Sequence, residues 1–195
     1  MDFSKFHEFM ELVGRLKHLK RTGWVLKDIK EPESIAGHMY RMAVLSMMVD
    51  DEDNIDKLKL IEMALIHDLA ECIVGDITPV CGIPVEEKHR REEEAMVEIC
   101  NLLGDKGPEM LKLFHEYECQ ESVEAKYVKD LDLLDFIMQA YEYEKRDSSP
   151  GYLEVFFSTS ICRIKHPKIK KIASEIVAKR DDLFKNKFDT LMIKN

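Results

Sequence analysis

Apolar residues return every three or four positions along almost the whole chain, and only one stretch, 75–84, gathers helix breakers. That stretch holds Gly75, Pro79, Gly82 and Pro84. A chain so patterned folds as packed helices with one irregular loop, because a 3.6-residue period lays an apolar stripe along a helix and does not fit a strand. Phe6, Phe9, Leu12, Val13 and Leu16 set a first helix over 3–19, which breaks at Arg21-Thr22-Gly23-Trp24. Ser34, after Pro32, is the expected N-cap of a helix running to about Val49. An acidic turn over 50–56 precedes a helix over 56–74, with Leu58, Ile61, Leu65, Leu69 and Cys72 as its expected apolar stripe. Further helices are expected over 85–103, 107–118, 121–146, 152–164 and 168–188. With 8 Gly and 6 Pro against 11 Met, composition also disfavours a turn-rich β fold. The expected fold class is all-α, a helical bundle.

At 195 residues the chain is long enough for one domain with a real core. Its net charge of −9, from 29 basic and 38 acidic residues, argues against a nucleic-acid polymer as partner, since such binding needs a basic surface to neutralise phosphates. The opening Met1-Asp2-Phe3-Ser4-Lys5 lacks the pattern of a signal peptide. The longest apolar run, Met42–Val49, is broken by Ser46 and too short to span a bilayer, so no membrane partner is expected. Five cysteines, at 72, 81, 100, 119 and 162, make no CxxC pair. That pattern points to reduced thiols and to the cytosol, with the nucleus as a second setting.

The informative residues are polar groups on faces that should be buried. Asp68 falls three residues after Leu65, inside the expected stripe, with His67 beside it on the line Leu60, Met63, Ala64 and Glu71. His38 lies between Ile35 and Met42, and Asp132 lies among Val128, Leu131, Leu134 and Phe136. Each alone has a plain alternative: a core histidine held by a hydrogen bond, a chance His-Asp pair, or an Asp132 paired with Lys129. Together they place two imidazoles and two carboxylates on three helix faces, the way bundles build metal sites. An uncompensated buried carboxylate costs several kcal/mol, so the set calls for a cation, a hydrogen-bond network or a metal, and mixed nitrogen and oxygen donors suit Mn, Fe, Co, Ni or Zn.

The segments ESIAGHMYRMAVLS (33–46), ALIHDLAECIVGDITP (64–79) and VKDLDLLDFIMQAYEYE (128–144) resemble the three defining segments of the HD superfamily, in the order H…HD…D. KRTGWVLKDIKEPESIAGHMYRMAV and GIPVEEKHRREEEAM are similar, more closely, to the HD domain-containing protein 2 group of 5′-deoxynucleotidases, with bacterial HD-domain 5′-deoxyribonucleotidases as more distant relatives. The resemblance covers about residues 10–165 and implies a single HD domain over 1–195 with a helical extension at 167–188. It implies metal ligands at His38, His67, Asp68 and Asp132, the last chosen over Asp130 and Asp135 by the family's spacing. It further implies Glu71 as the water-activating acid and Asp76 as the loop carboxylate, with a second cation near Glu71, Asp76 and the carbonyl of Ile77. Arg21 matches the phosphate-contacting arginine, Trp24 the residue near the nucleoside, and Ile77 and Thr78 line the substrate loop. Thr22-Gly23 separate Arg21 from Trp24 here, whereas the two are adjacent in the bacterial enzymes.

The implied activity is hydrolysis of deoxyribonucleoside 5′-monophosphates with Mn²⁺, Co²⁺ or Mg²⁺. The family's habit, with the Met- and Phe-rich helices, adds a homodimer. The competing readings are another HD phosphohydrolase, acting on cyclic nucleotides or nucleoside triphosphates, and a helical binding protein whose site is vestigial. His7, His18, His89, His115 and His166 lie among charged residues and read as surface histidines. The run EEKHRREEEAM (86–96) reads as a solvated helix face rich in i,i+4 ion pairs, bordering the site loop by resemblance.

Overall fold

Asp2 opens the first helix: its carboxylate accepts the Ser4 N–H at 2.9 Å and caps α1 (Phe3–Arg15). The computed structural model describes residues 2–50 and 54–192, so Asp51, Glu52 and Asp53 of the expected acidic turn lie outside the described residues. The helices that follow are α2 (Thr22–Val25), α3 (Ile35–Ser46), α4 (Lys57–Ile66), α5 (Glu71–Val74), α6 (Val85–Leu102), α7 (Gly107–Cys119), α8 (Val123–Arg146), α9 (Glu154–Ser160) and α10 (Pro167–Met192). Among the described residues no strand forms beyond one isolated antiparallel bridge, Lys20 to Ser34, so the fold is all-α as expected. None of these helices is long and apolar enough to cross a membrane. The chain divides within α8, after Val128, into two compact units.

In the first unit α1 packs on α5 and α6, α3 on α4, and α7 on both α4 and α6. Their shared core is Leu12, Leu16, Ile35, Met39, Ile66, Leu69, Met96, Ile99 and Phe114. Gly107 opens α7 where a Cβ would run into the backbone carbonyl of Cys100, so only glycine lets the ends of α6 and α7 come this close. Ser34 caps α3 as its sequence position suggests, accepting the Gly37 N–H at 3.1 Å. α1 stops at Arg15 rather than 19, because the chain turns through Lys17 and His18 to bring Lys20 beside Ser34.

The stripe expected on 56–74 holds at Leu69 and Cys72, which are buried, and is corrected at Leu58 and Leu65. Leu58 and Leu65 are exposed, and the buried line is Leu60, Met63, Ala64 and His67. Both α3 and α7 pack on α4, and His38 and Tyr117 from them meet the His67 ring. The helix also does not run through to 74. After Ile66 the hydrogen bonds shorten to three-residue steps, Leu69 to Ile66, Glu71 to Asp68 and Cys72 to Leu69, before α5 resumes.

In the second unit Arg180 on α10 is buried between two acids. Its Nε donates to Glu144 Oε2 at 2.6 Å and one Nη to Glu154 Oε2 at 2.7 Å, while its plane lies over the Phe157 ring at 4.0 Å. Glu144 also accepts the Leu153 N–H at 2.7 Å, so one carboxylate fastens the end of α8, the turn before α9, and α10. Removing one partner of a buried pair strands the other charge, so Arg180→Ala is expected to cost about 3–5 kcal/mol. Urea denaturation measures it, and a loss below about 1 kcal/mol would mean that the pair is solvated in practice.

Candidate metal centre and active site

The tightened turn after α4 is what presents the His-Asp pair. His67 Nδ1 lies 2.9 Å from the carbonyl of Ala64. A carbonyl only accepts, so Nδ1 carries the hydrogen and Nε2 is turned the other way. Metal-ligating histidines are oriented like this, one ring nitrogen held by a carbonyl and the other presented. Tyr117 of α7 packs edge-on against the His67 ring, centroids 5.2 Å apart, and His38 of α3 does so from another side at 5.4 Å.

Both imidazoles converge on one oxygen. Asp68 Oδ2 lies 3.2 Å from His67 Nε2 and 3.8 Å from His38 Nε2, and it accepts a 3.0 Å bond from an Arg21 Nη. Burial pushes the Asp68 pKa up, but His67, Arg21 and His38 outweigh it and hold the carboxyl well below its ordinary range. With Nδ1 holding the hydrogen, His67 Nε2 meets Asp68 Oδ2 as donor only if it too is protonated, and otherwise as a lone pair that a bound metal cation would satisfy. Metal–nitrogen and metal–oxygen bonds of about 2.0–2.2 Å put neighbouring ligand atoms about 3–3.5 Å apart, which this cluster nearly matches. The donors present fit a divalent cation.

Glu71 follows on the same turn and is 4% exposed, with its Oε2 receiving no hydrogen bond. Burial first, then the carboxylates of Asp68 and Asp76, raise its pKa well above the ordinary value. Gly75, at φ 76°, ends α5 in a conformation that other residues adopt only with strain, and turns the chain toward Asp76. Burial also raises the Asp76 pKa, against the opposing pull of Arg21 and the Thr22 N–H. Three carboxylates thus stand around one guanidinium, a composition that draws in further positive charge. Ile77 is buried and Thr78 half-buried, its hydroxyl 3.3 Å from Cys81 Sγ.

Arg21 is set by the loop between α1 and α3. Its N–H donates to the Glu33 carbonyl at 3.2 Å, and the Glu33 side chain accepts the Trp24 indole N–H at 2.8 Å. Trp24 has no exposed surface, which corrects the expectation that it offers a face to a nucleoside: it anchors the loop that carries Arg21.

On α8, Asp132 accepts a 2.8 Å bond from Lys129 Nζ, so the pairing weighed as its plain alternative is present. Asp130 accepts the N–H groups of Lys165 and His166 at 2.9 and 2.5 Å, an anchoring role within the second unit. His7, His18, His89 and His115 are exposed as expected, and His166 is half-buried.

Three contributors escape a reading of the sequence. Thr22 binds Asp76 twice, through its N–H to Oδ2 at 2.7 Å and through its hydroxyl to the main-chain carbonyl at 2.8 Å. Glu33 holds Trp24, and Glu92 is buried inside the helix face expected to be solvated. Glu87, Arg90, Arg91 and Glu94 do form the expected exposed network, but Lys88 turns inward and grips both Glu92 oxygens at 2.6 and 2.8 Å. Burial lowers the Lys88 pKa, and Glu92 together with Asp68 more than reverses that, so its charge is kept beside the acidic cluster. The i,i+4 spacing carries the Lys88–Glu92 pair but not its burial beside the acidic cluster.

A model of the HD domain family matches residues 13–177, and the chain belongs to that family. The human 5′-deoxynucleotidase HDDC2 is 49% identical over 174 residues, 89% of this chain and 85% of that one. The Dictyostelium discoideum protein of the same name is 43% identical over 91% of this chain and 99% of its own length. A Pyrococcus horikoshii protein of solved structure superposes with a TM-score of 0.69 at 35% identity, over 90% of this chain and 98% of that one.

Cys72 adjoins Glu71, and burial first, against the pull of Arg15, pushes its thiol up to about 11, so it stays protonated and unreactive at neutral pH. Ellman titration of the native protein is expected to label the exposed Cys81, Cys119 and Cys162 quickly, and the buried Cys72 and Cys100 only on unfolding. Fast labelling of Cys72 would instead reveal an open path to this turn.

Proposed function

We propose that the chain is a metal-dependent 5′-deoxynucleotidase that hydrolyses deoxyribonucleoside 5′-monophosphates to the deoxynucleoside and phosphate. The observation that carries the reading is Asp68 Oδ2, on which two buried imidazole Nε2 atoms and the Arg21 guanidinium converge. Relatives named 5′-deoxynucleotidase, matched over most of their length, support the substrate class. The proposed ligands are His38, His67 and Asp68, with Asp132 from α8 as the fourth. Asp132 rests on the family pattern, and the HD family match at 13–177 supports treating both units as a single HD domain.

A bound Mn²⁺, Co²⁺ or Mg²⁺ would polarise the phosphoryl oxygen and acidify a water. Around it, the chain's own groups divide the work. Arg21 presents a planar, permanently charged fork to the phosphate. Glu71, its pKa raised by burial, takes the proton of the attacking water at Oε2. Asp76, also raised, is placed either to deliver a proton to the departing 5′ oxygen or, with Glu71 and the Ile77 carbonyl, to hold a second cation. Ile77 and Thr78 border the nucleoside. Five free cysteines support a reducing, cytosolic setting, and Tyr40 and Val44 on α3 with Met47 and Met48 just after it, all exposed, support a homodimer.

Metal-stripped protein given Mn²⁺, Co²⁺, Mg²⁺ or Zn²⁺ singly is expected to release phosphate from 5′-deoxymonophosphates and not from 3′-monophosphates, cyclic nucleotides or dNTPs. Asp68→Ala should abolish release. Glu71→Gln should keep the metal and lower kcat by about 10²–10⁴-fold, the usual worth of a general base. Release confined to triphosphates or cyclic nucleotides would overturn the substrate. Metal binding without any turnover would point to a binding protein.

A further inference from the structure

The bonds between Thr22 and Asp76 join two parts of the chain 54 residues apart. One is the start of α2, directly after Arg21. The other is the loop entered through the left-handed Gly75. Asp76 Oδ2 receives the Thr22 N–H at 2.7 Å, a short charge-assisted bond, while the Thr22 hydroxyl donates to the Asp76 carbonyl at 2.8 Å. Side chain and main chain of Asp76 are therefore both fixed by a single residue. Asp76 Oδ1 receives no hydrogen bond from the described residues.

We infer that Thr22 is a positioning residue for the hydrolysis: it commits Asp76 Oδ2, leaving Oδ1 as the oxygen that acts, and locks that oxygen to the loop carrying Arg21. This rests on the nucleotidase reading above. The phosphate end of a nucleotide gripped by Arg21 and the bridging oxygen served by Asp76 are adjacent atoms of one substrate. A rigid tie between the two protein groups keeps them in register with that short distance. Without the hydroxyl, the Asp76 main chain loses its anchor, and the carboxylate, still held by the Thr22 N–H, shifts with the loop after Gly75.

A structural alternative uses the same contacts. Arg21 makes no side-chain cap for α2, so Asp76 doubles as a cap for its first N–H. A cap alone would affect folding and leave the chemistry untouched. The two roles part in kinetics, because a group that acts only on the departing oxygen shows in kcat, whereas a substrate-gripping group shows in KM.

The test compares Thr22→Val, which removes the hydroxyl and keeps shape and N–H, with Thr22→Ser, which keeps the hydroxyl, in the full-length metal-loaded protein. Thr22→Val is expected to lower kcat for 5′-deoxymonophosphates by about 10–10²-fold, the size of effect that small misplacements of catalytic groups produce, with KM within about twofold. Thr22→Ser should recover most of kcat. In the ¹⁵N-labelled wild type, the Thr22 amide proton should resonate downfield and move upfield in Asp76→Ala. An unchanged kcat in Thr22→Val, an effect on KM alone, equal losses in both variants, or an amide indifferent to Asp76→Ala would each overturn the role of Thr22 while wild-type turnover stands. Absence of wild-type turnover with every metal would instead sink the nucleotidase reading, and the catalytic role of Thr22 with it.

Discussion

Asp68 is a mostly buried carboxylate whose single oxygen Oδ2 is shared by a guanidinium and two imidazoles, and the local structure is arranged around keeping that charge compensated. A buried anion left alone would take up a proton or destabilise the fold by several kcal/mol. Here the compensation comes from three separate segments: the loop before α2, the first turn of α3, and the turn after α4. None of them could shift far without exposing Asp68 to an unbalanced field. The helix break at His67 follows from the same demand. In an unbroken helix the Ala64 carbonyl would face the Asp68 N–H, whereas here it takes the His67 ring and fixes which nitrogen is presented.

Around this centre the supporting contacts are tethers rather than packing. Glu33 holds both the Arg21 backbone and the Trp24 indole, Thr22 holds Asp76, and Lys88 holds Glu92. Each tether joins residues that carry charge or donors to a place where burial makes an unpaired group costly. Precision in a site comes from such supporting bonds, since a first layer of ligands alone leaves rotamers free. The acidic helix α6 illustrates how few residues this takes. One of its faces is a solvated ion-pair ladder, and one residue turned inward, Glu92, brings a lysine's charge toward the carboxylates.

Much of this arrangement is legible in the sequence, and the misses have physical causes. His38 is marked by its apolar neighbours Ile35 and Met42, and all three are fully buried. The case for His67 and Asp68 is partly mistaken in its reason, since the stripe through Leu58 and Leu65 faces outward and the buried line runs one position away. Adjacent residues on a helix differ by about 100°, so two candidate stripes a residue apart both touch an HD pair and periodicity alone does not choose between them. The four-residue α2 is too short to show a period at all. Trp24 misleads because an aromatic side chain serves an interior as readily as a ligand, and only its 0% exposure and the Glu33 bond decide between them. Thr22 gives no sequence signal, because its partner lies 54 residues away and both bonds involve main-chain atoms that every residue has.

The charge balance raises a question that the geometry answers. A chain of net charge −9 with three carboxylates gathered at one site repels a phosphate dianion at long range. Attraction must therefore be local, and residues 15–30 supply it, with Arg15, Lys17, Lys20, Arg21, Lys27 and Lys30 in one short stretch. Within that stretch Arg21 is the residue already turned inward, because Asp68 holds it at 3.0 Å. On the proposed reading, a phosphate arriving there competes with a carboxylate for a guanidinium that is oriented and partly desolvated beforehand. The ion pair then costs some ground-state affinity, and in return the rotamer entropy of the arginine has been lost on folding rather than at each binding event. That trade favours a small, highly charged ligand over a weakly charged one. On the same reading a dianionic phosphate competes with Asp68 for Arg21 better than a neutral or monoanionic group does.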